Sequence, residues 1–160
     1  MQEMTDEYKI AVLYMDKNRE KYYRYIKDAD IPSRRELAYK YKVLCGCKFS
    51  MNSSIISSVS SIGKNAVVTS SYNVLYASDN EADAKRAERY IKTKLFRFLV
   101  GLCIDGGLTS ISSYRFRLVP DQDFTSSSDI DWSQSITDID RQLYKKYNLT
   151  SDEIDYIEKT

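Results

Sequence analysis

Histidine is absent from this 160-residue chain. That removes the one side chain whose ordinary pKa lies near neutrality. A Ser-His-Asp triad and a Cys-His dyad are both excluded, so any general base would be a carboxylate, a lysine or a tyrosine. Proline occurs only at Pro32 and Pro120, and there are five glycines. No Gly/Pro-rich linker divides the chain, and it carries neither a glycine-rich phosphate loop nor a nucleophile elbow. The three cysteines, Cys45, Cys47 and Cys103, are odd in number and lack framework spacing, which argues against a disulfide scaffold. With no histidine to add to the C-x-C pair, a zinc site lacks a fourth ligand. Long apolar runs are missing too; the longest is far below the ~20 residues that span a bilayer. The acidic opening MQEMTDEY has none of a signal peptide's basic start and apolar centre. The expectation is a cytoplasmic protein with no membrane partner.

What is present fits one domain with a real core. The net charge is +1, but it is unevenly spread: from residue 121 onward there are ten acidic and four basic residues, so residues 1–120 carry +7. This asymmetry points to a basic working surface and an acidic accessory segment. The boundaries expected are a core over 1–125 and an acidic helical tail over 126–160. A tail that stops soon after a helix begins reads as a piece of something larger.

The hydropathy pattern predicts a mixed α/β fold, with a small mixed sheet, a central amphipathic helix and a helical tail. Residues 8–14 (YKIAVLY) and 21–26 (KYYRYI) read as strands around a turn. Ser33 is positioned to cap a short helix over Arg34–Leu37. A strand ending at Gly46 follows, then a serine-dense loop over 48–65, then one or two strands over 65–77. Ser78 and Glu81 have capping-box spacing. Ala84, Ala87, Ile91, Leu95, Phe98 and Leu102 continue one apolar face, predicting a helix over about 79–104. SSYRFRLVP (112–120) alternates as an amphipathic strand. In the tail, Ile136, Ile139, Leu143 and Tyr147 share a helical face, and Thr150 with Glu153 form a second capping box.

Three groups of residues are candidates for chemistry. Lys92, Lys94 and Arg97 flank the apolar stripe of the long helix, and Arg115 and Arg117 lie on the following segment. These five suit contacts to nucleic-acid phosphates, although cations at such spacing also serve as a solvated face with buried stems. In the polar loop, Lys48, Asn52, Lys64 and Asn65 are side-chain types that read base edges, against the plainer reading of a surface loop. Asp121 with Asp123, and Asp129 with Asp131, pair acids as in a metal-dependent nuclease, but they precede a helix, where Asp serves as a cap. Rival functions are therefore a protein-interaction module with a basic ridge and a small metal-dependent nuclease.

Three segments, taken in order, resemble a known family. They are SYNVLYASDNEADAKRAERYIKTKLFRFLVGL, YRFRLVPDQDFT and SDIDWSQSITDIDRQLYKKYNLTSDEIDYIE. Their matching positions are Tyr90, Thr93, Lys94, Phe96 to Leu99, Val119, Pro120, Gln122 to Phe124, Asp129 to Trp132, and Leu143 to Glu158. The pattern is similar to the C-terminal target-recognition domain of type II restriction–modification N6-adenine DNA methyltransferases, including fused restriction–methylation enzymes. It covers roughly residues 40–160, and residues 1–39 match only loosely. The chain departs from the pattern at Leu95, where the family prefers Phe, and over 103–113, where a more basic stretch is usual. The resemblance implies a non-catalytic, double-stranded-DNA recognition domain without a cofactor of its own. S-adenosylmethionine and the Asn-Pro-Pro-Tyr-type motif would belong to the methyltransferase catalytic domain of the same parent chain.

Overall fold

The computed structural model describes residues 4–15, 21–47, 55–56, 58–103 and 113–160. The fold is mixed α/β. Its strands form two three-stranded sheets rather than the single small sheet expected. The first sheet has the order β2-β1-β5, in which β1 (Ile10–Met15) pairs antiparallel with β2 (Lys21–Ile26) and parallel with β5 (Ala66–Val68). The second has the order β4-β3-β6 and is wholly antiparallel: β3 (Tyr41–Gly46) lies between β4 (Ser60–Ile62) and β6 (Tyr72–Ser78).

The burial of β3 explains why two sheets form. Val43, Leu44 and Cys45 are fully buried in succession, which requires cover on both faces of the strand. Val43 and Cys45 join the large core with the helices, whereas Leu44 packs with Leu13 of β1 and with Tyr72. The result is a stack of helices, second sheet and first sheet. The serine-dense stretch expected to be a loop over 48–65 contains β4 at its C-terminal end. The short helix beyond Pro32 is a 3₁₀ segment over Arg35–Tyr39, with Arg34 in the left-handed region at its N-cap position.

The long helix expected over about 79–104 is two helices, α1 (Glu81–Ile91) and α2 (Lys94–Gly101). Its first turn is capped by Asn80, whose Oδ1 accepts from the Ala82 amide at 2.8 Å, rather than by Ser78. Ser78 is still the last residue of β6. The break falls at Thr93, in extended backbone, whose Oγ1 accepts from the Phe96 amide at 3.2 Å and donates to the Tyr90 carbonyl at 2.6 Å. The strand expected over 112–120 is also absent. Ser113–Phe116 is a 3₁₀ turn, and its three-residue repeat brings Tyr114 and Arg117 to the same side.

The tail forms as predicted. α3 (Ile136–Lys146) buries Ile139 and Leu143, and α4 (Ser151–Lys159) opens with the full Thr150–Glu153 capping box. Neither helix is an appendage. Trp132, Ile139, Leu143, Tyr144 and Ile157 lie in the same cluster as Val43, Ala87, Ile91 and Leu95. Among the described residues no helix is long and apolar enough to cross a membrane.

Candidate nucleic-acid interface

The predicted phosphate-binding cations do not form one ridge. Lys92 reaches back one turn to Glu88 at 2.5 Å. Glu88 also accepts from the Ser61 hydroxyl of β4. Burial would raise the Glu88 carboxyl, but Lys92 and Ser61 outweigh it and hold the group below the usual range. Lys94 points toward α4, bonding the Glu158 carboxylate at 2.6 Å and the Glu158 carbonyl at 3.0 Å. Arg97 is half-buried. Arg115 is only 2% exposed, a burial that keeps it from solvent-borne phosphate in this arrangement. Arg117 is exposed, with its guanidinium carbon 3.8 Å from the Tyr114 ring centroid. Exposed ion pairs contribute little, so Lys92 and Lys94 remain able to exchange partners, but they do so on different sides of the helix pair.

Of the predicted base readers, Lys48 and Asn52 lie outside the described residues. Lys64 and Asn65 sit exposed in the β4–β5 turn. The Lys64 ammonium lies 5.3 Å from the Tyr41 ring centroid. Asn65 has φ 55°, a left-handed conformation that Asn tolerates better than most residues. Its carbonyl accepts from the Ala11 amide at 2.8 Å. Turn geometry thus accounts for asparagine at this position without a role in readout.

The acid pairs do not cap a helix, since the N-cap of α3 is Ser135; two of the aspartates close turns instead. Asp123 accepts from the Thr125 amide at 2.8 Å and Asp131 from the Ser133 amide at 2.9 Å. Hydrogen bonds from Ser133 and Gln134 bring the Asp131 carboxyl down to about 2. Asp129 pairs with Lys146 at 2.8 Å. Among the described residues no group of three or more acidic or cysteine side chains is arranged to hold a metal ion.

Residues from the three motif-bearing segments meet around the α1–α2 break. Asp140, buried on α3, accepts from the Lys94 and Leu95 amides at 3.0 Å each and so closes the N-terminus of α2. Burial raises its carboxyl above the usual range, although those two amides oppose the shift. Tyr90 donates to the Pro120 carbonyl at 3.1 Å, and the Gln122 side chain donates to the Tyr147 hydroxyl at 2.5 Å. Trp132 Nε1 donates to the Asp123 carbonyl at 3.1 Å and to Ser128 at 2.8 Å. Tyr76, Tyr90, Phe96, Phe116 and Phe124 line a cavity of about 410 Å³ beside this network, with Asn73, Asp121 and Gln122 among its polar groups.

The sequence reading passed over two features. Lys42 is a buried lysine on β3, where only a strand was foreseen. The KYYRYI strand carries an aromatic–cation cluster, and its unusual density of tyrosine around one arginine was the available signal. Comparison with known proteins adds nothing to either: a scan of protein-family models and searches of curated proteins and solved structures return no match.

Proposed function

We propose that this chain is the double-stranded-DNA recognition domain of a restriction–modification adenine-N6 methyltransferase. Methyl transfer, S-adenosylmethionine and the flipped adenine are assigned to the catalytic domain of the parent enzyme. One observation carries the reading: the positions that resemble the family touch one another. Tyr90 with Pro120 and Gln122 with Tyr147 lie far apart in sequence and bond directly near one helix break, and Trp132 donates to the Asp123 carbonyl beside them. Assembly of the matched positions into one network is what a shared scaffold requires, and it supports the reading to that extent.

The same observation divides the labour. The shared residues build the scaffold, and DNA contact falls to exposed groups outside it. Arg117 keeps the role of a phosphate contact and Lys64 that of a base reader in this proposal, whereas Lys92 and Lys94 are engaged within the protein by Glu88 and Glu158.

The test is fluorescence anisotropy of the purified chain with a labelled duplex across a salt series. The logarithm of the affinity is expected to fall linearly with the logarithm of salt concentration, the slope counting phosphate contacts. Lys92→Ala and Lys94→Ala are expected to change that slope by less than about one, the loss assigned to one phosphate contact. Absence of duplex binding at the lowest salt overturns the proposal. Magnesium-dependent cleavage of the duplex by the chain would favour the nuclease built on Asp121 and Asp123.

A further inference from the structure

The first sheet is uneven in depth. β5 pairs with β1 only over Ala11–Leu13, so among the described residues the rungs Tyr14–Tyr22 and Met15–Lys21 continue as a two-stranded ribbon. Along one face of that ribbon the rungs run Ile10–Ile26, Val12–Arg24 and Tyr14–Tyr22. Ile10 is fully buried, and Ile26 packs against the small cluster it forms with Ile31 and Ala38. At the other end Tyr22 is 37% exposed, and Arg24 is exposed. The face therefore leaves the core and ends in solvent as tyrosine and arginine.

These distal side chains are ordered by one another. The Tyr14 and Tyr22 rings stack at 5.6 Å with an interplanar angle of 26°, as expected of directly opposed aromatic residues. The Arg24 guanidinium carbon lies 5.2 Å from the Tyr14 centroid. Among the described residues no carboxylate pairs with Arg24, in contrast to Lys92, Lys94, Arg86 and Lys146, each of which has one. A guanidinium placed over a ring commits none of its five N–H donors to that contact, and its planar fork matches the paired acceptors of a guanine edge. Tyrosine holds it there with little conformational freedom left to lose.

We infer that the distal β1–β2 ribbon is the element of this domain that enters the major groove of duplex DNA, with Arg24 contacting a base edge and Tyr14 and Tyr22 positioning it. This rests on the recognition function proposed above and replaces the loop residues as the main source of specificity. The groove admits a two-stranded ribbon, and Arg24 gives the exposed face a positive charge that suits the duplex. The ribbon also lies in residues 1–39, the part least like the family. An element that reads sequence belongs there rather than in a scaffold common to enzymes with different targets.

The experiment selects binding sites for the full 160-residue chain from a randomised duplex pool and repeats the selection with Arg24→Lys, Arg24→Ala and Tyr22→Ala. Lys94→Ala serves as a control outside the ribbon, and circular dichroism verifies folding of each. The wild-type chain is expected to enrich a site containing an essential G·C pair. Arg24→Lys, which keeps the charge and loses the fork, is expected to lower discrimination at that pair about tenfold while the salt slope stays the same. Tyr22→Ala is expected to weaken the same position, and Lys94→Ala to select the wild-type site. If the wild-type chain selects a site and the Arg24 variants select it equally well, the ribbon is not the reader, and the recognition function stands without it. If the wild-type chain binds no duplex at all, both fall.

Discussion

At the scale of single residues, Lys42 is the least expected. Its side chain is 1% exposed and faces no carboxylate among the described residues. Its ammonium donates instead to three carbonyls, of Leu37 at 2.8 Å, Lys40 at 2.5 Å and Gly63 at 3.1 Å. It thereby ties the 3₁₀ segment to the β4–β5 turn, satisfying all three of its protons. Burial lowers its pKa to about 8 from the ordinary 10.5. Between those values the unfolded chain holds a proton that the folded chain has shed, so this group adds stability as pH rises. Cys45, whose thiol burial raises to about 11, acts oppositely from about pH 9 upward. We predict that wild-type stability, measured by urea unfolding, gains on that of Lys42→Met as pH goes from 7.5 to 9.5. A difference that does not change with pH would show that the ammonium is not desolvated.

Among elements, the α1–α2 junction is where local pattern and tertiary structure part. The apolar face of Ala84, Ala87, Ile91, Leu95 and Phe98 keeps its spacing across the break, which is why the sequence reads as one helix. The break depends on Thr93 and on a carboxylate 46 residues after Lys94. Asp140 takes the two amides that would otherwise bond the preceding turn. No periodicity within residues 79–104 encodes a partner on another helix. The same reasoning applies to 112–120, where strand-like alternation gave way to a turn that buries Arg115 and places Phe116 against the core. Some local signals survived, as in the capping box at Thr150, the paired strands β1 and β2, and the faces of α3, whereas the Ser78–Glu81 spacing lost to Asn80 as the cap of α1. Thr93→Val removes one hydroxyl and keeps the shape, with an expected cost of about 1 kcal/mol. Asp140→Ala leaves two amides without their charged acceptor and should cost about 2 kcal/mol or more. Denaturant titration checks the order, and equal costs would mean that water replaces the carboxylate at the helix end.

For the molecule as a whole, charge proved a poor guide to architecture. The acidic stretch from residue 121 looked like an accessory segment, yet its apolar residues complete the main core. Several of its acids are spent within the molecule, on Lys94, Lys146 and Arg141 and on turn amides. Net charge summed over a segment discards this pairing, and for the same reason the candidate site was only partly legible. Of the cations visible in the sequence as a ridge, Lys94 is matched to Glu158 far along the chain and Lys92 to Glu88 one turn back. Arg24, which pairs with no carboxylate among the described residues, sits in a strand whose signal was tyrosine around an arginine rather than a run of charge. If the tail is integral, its loss of structure and that of the sheets should be one event. Trp132, the single tryptophan, reports on the tail from a site 4% exposed, with Phe124 at 5.3 Å and Tyr90 at 5.9 Å between ring centroids. We predict that tryptophan fluorescence and far-ultraviolet circular dichroism give the same unfolding midpoint in denaturant, as a cooperative unit requires. Ile157→Ala on α4, which removes buried methyl groups worth roughly 2–4 kcal/mol, should lower both midpoints equally. A fluorescence transition that moves ahead of the dichroism in this variant would instead mark residues 121–160 as a separately melting unit seated on the sheets.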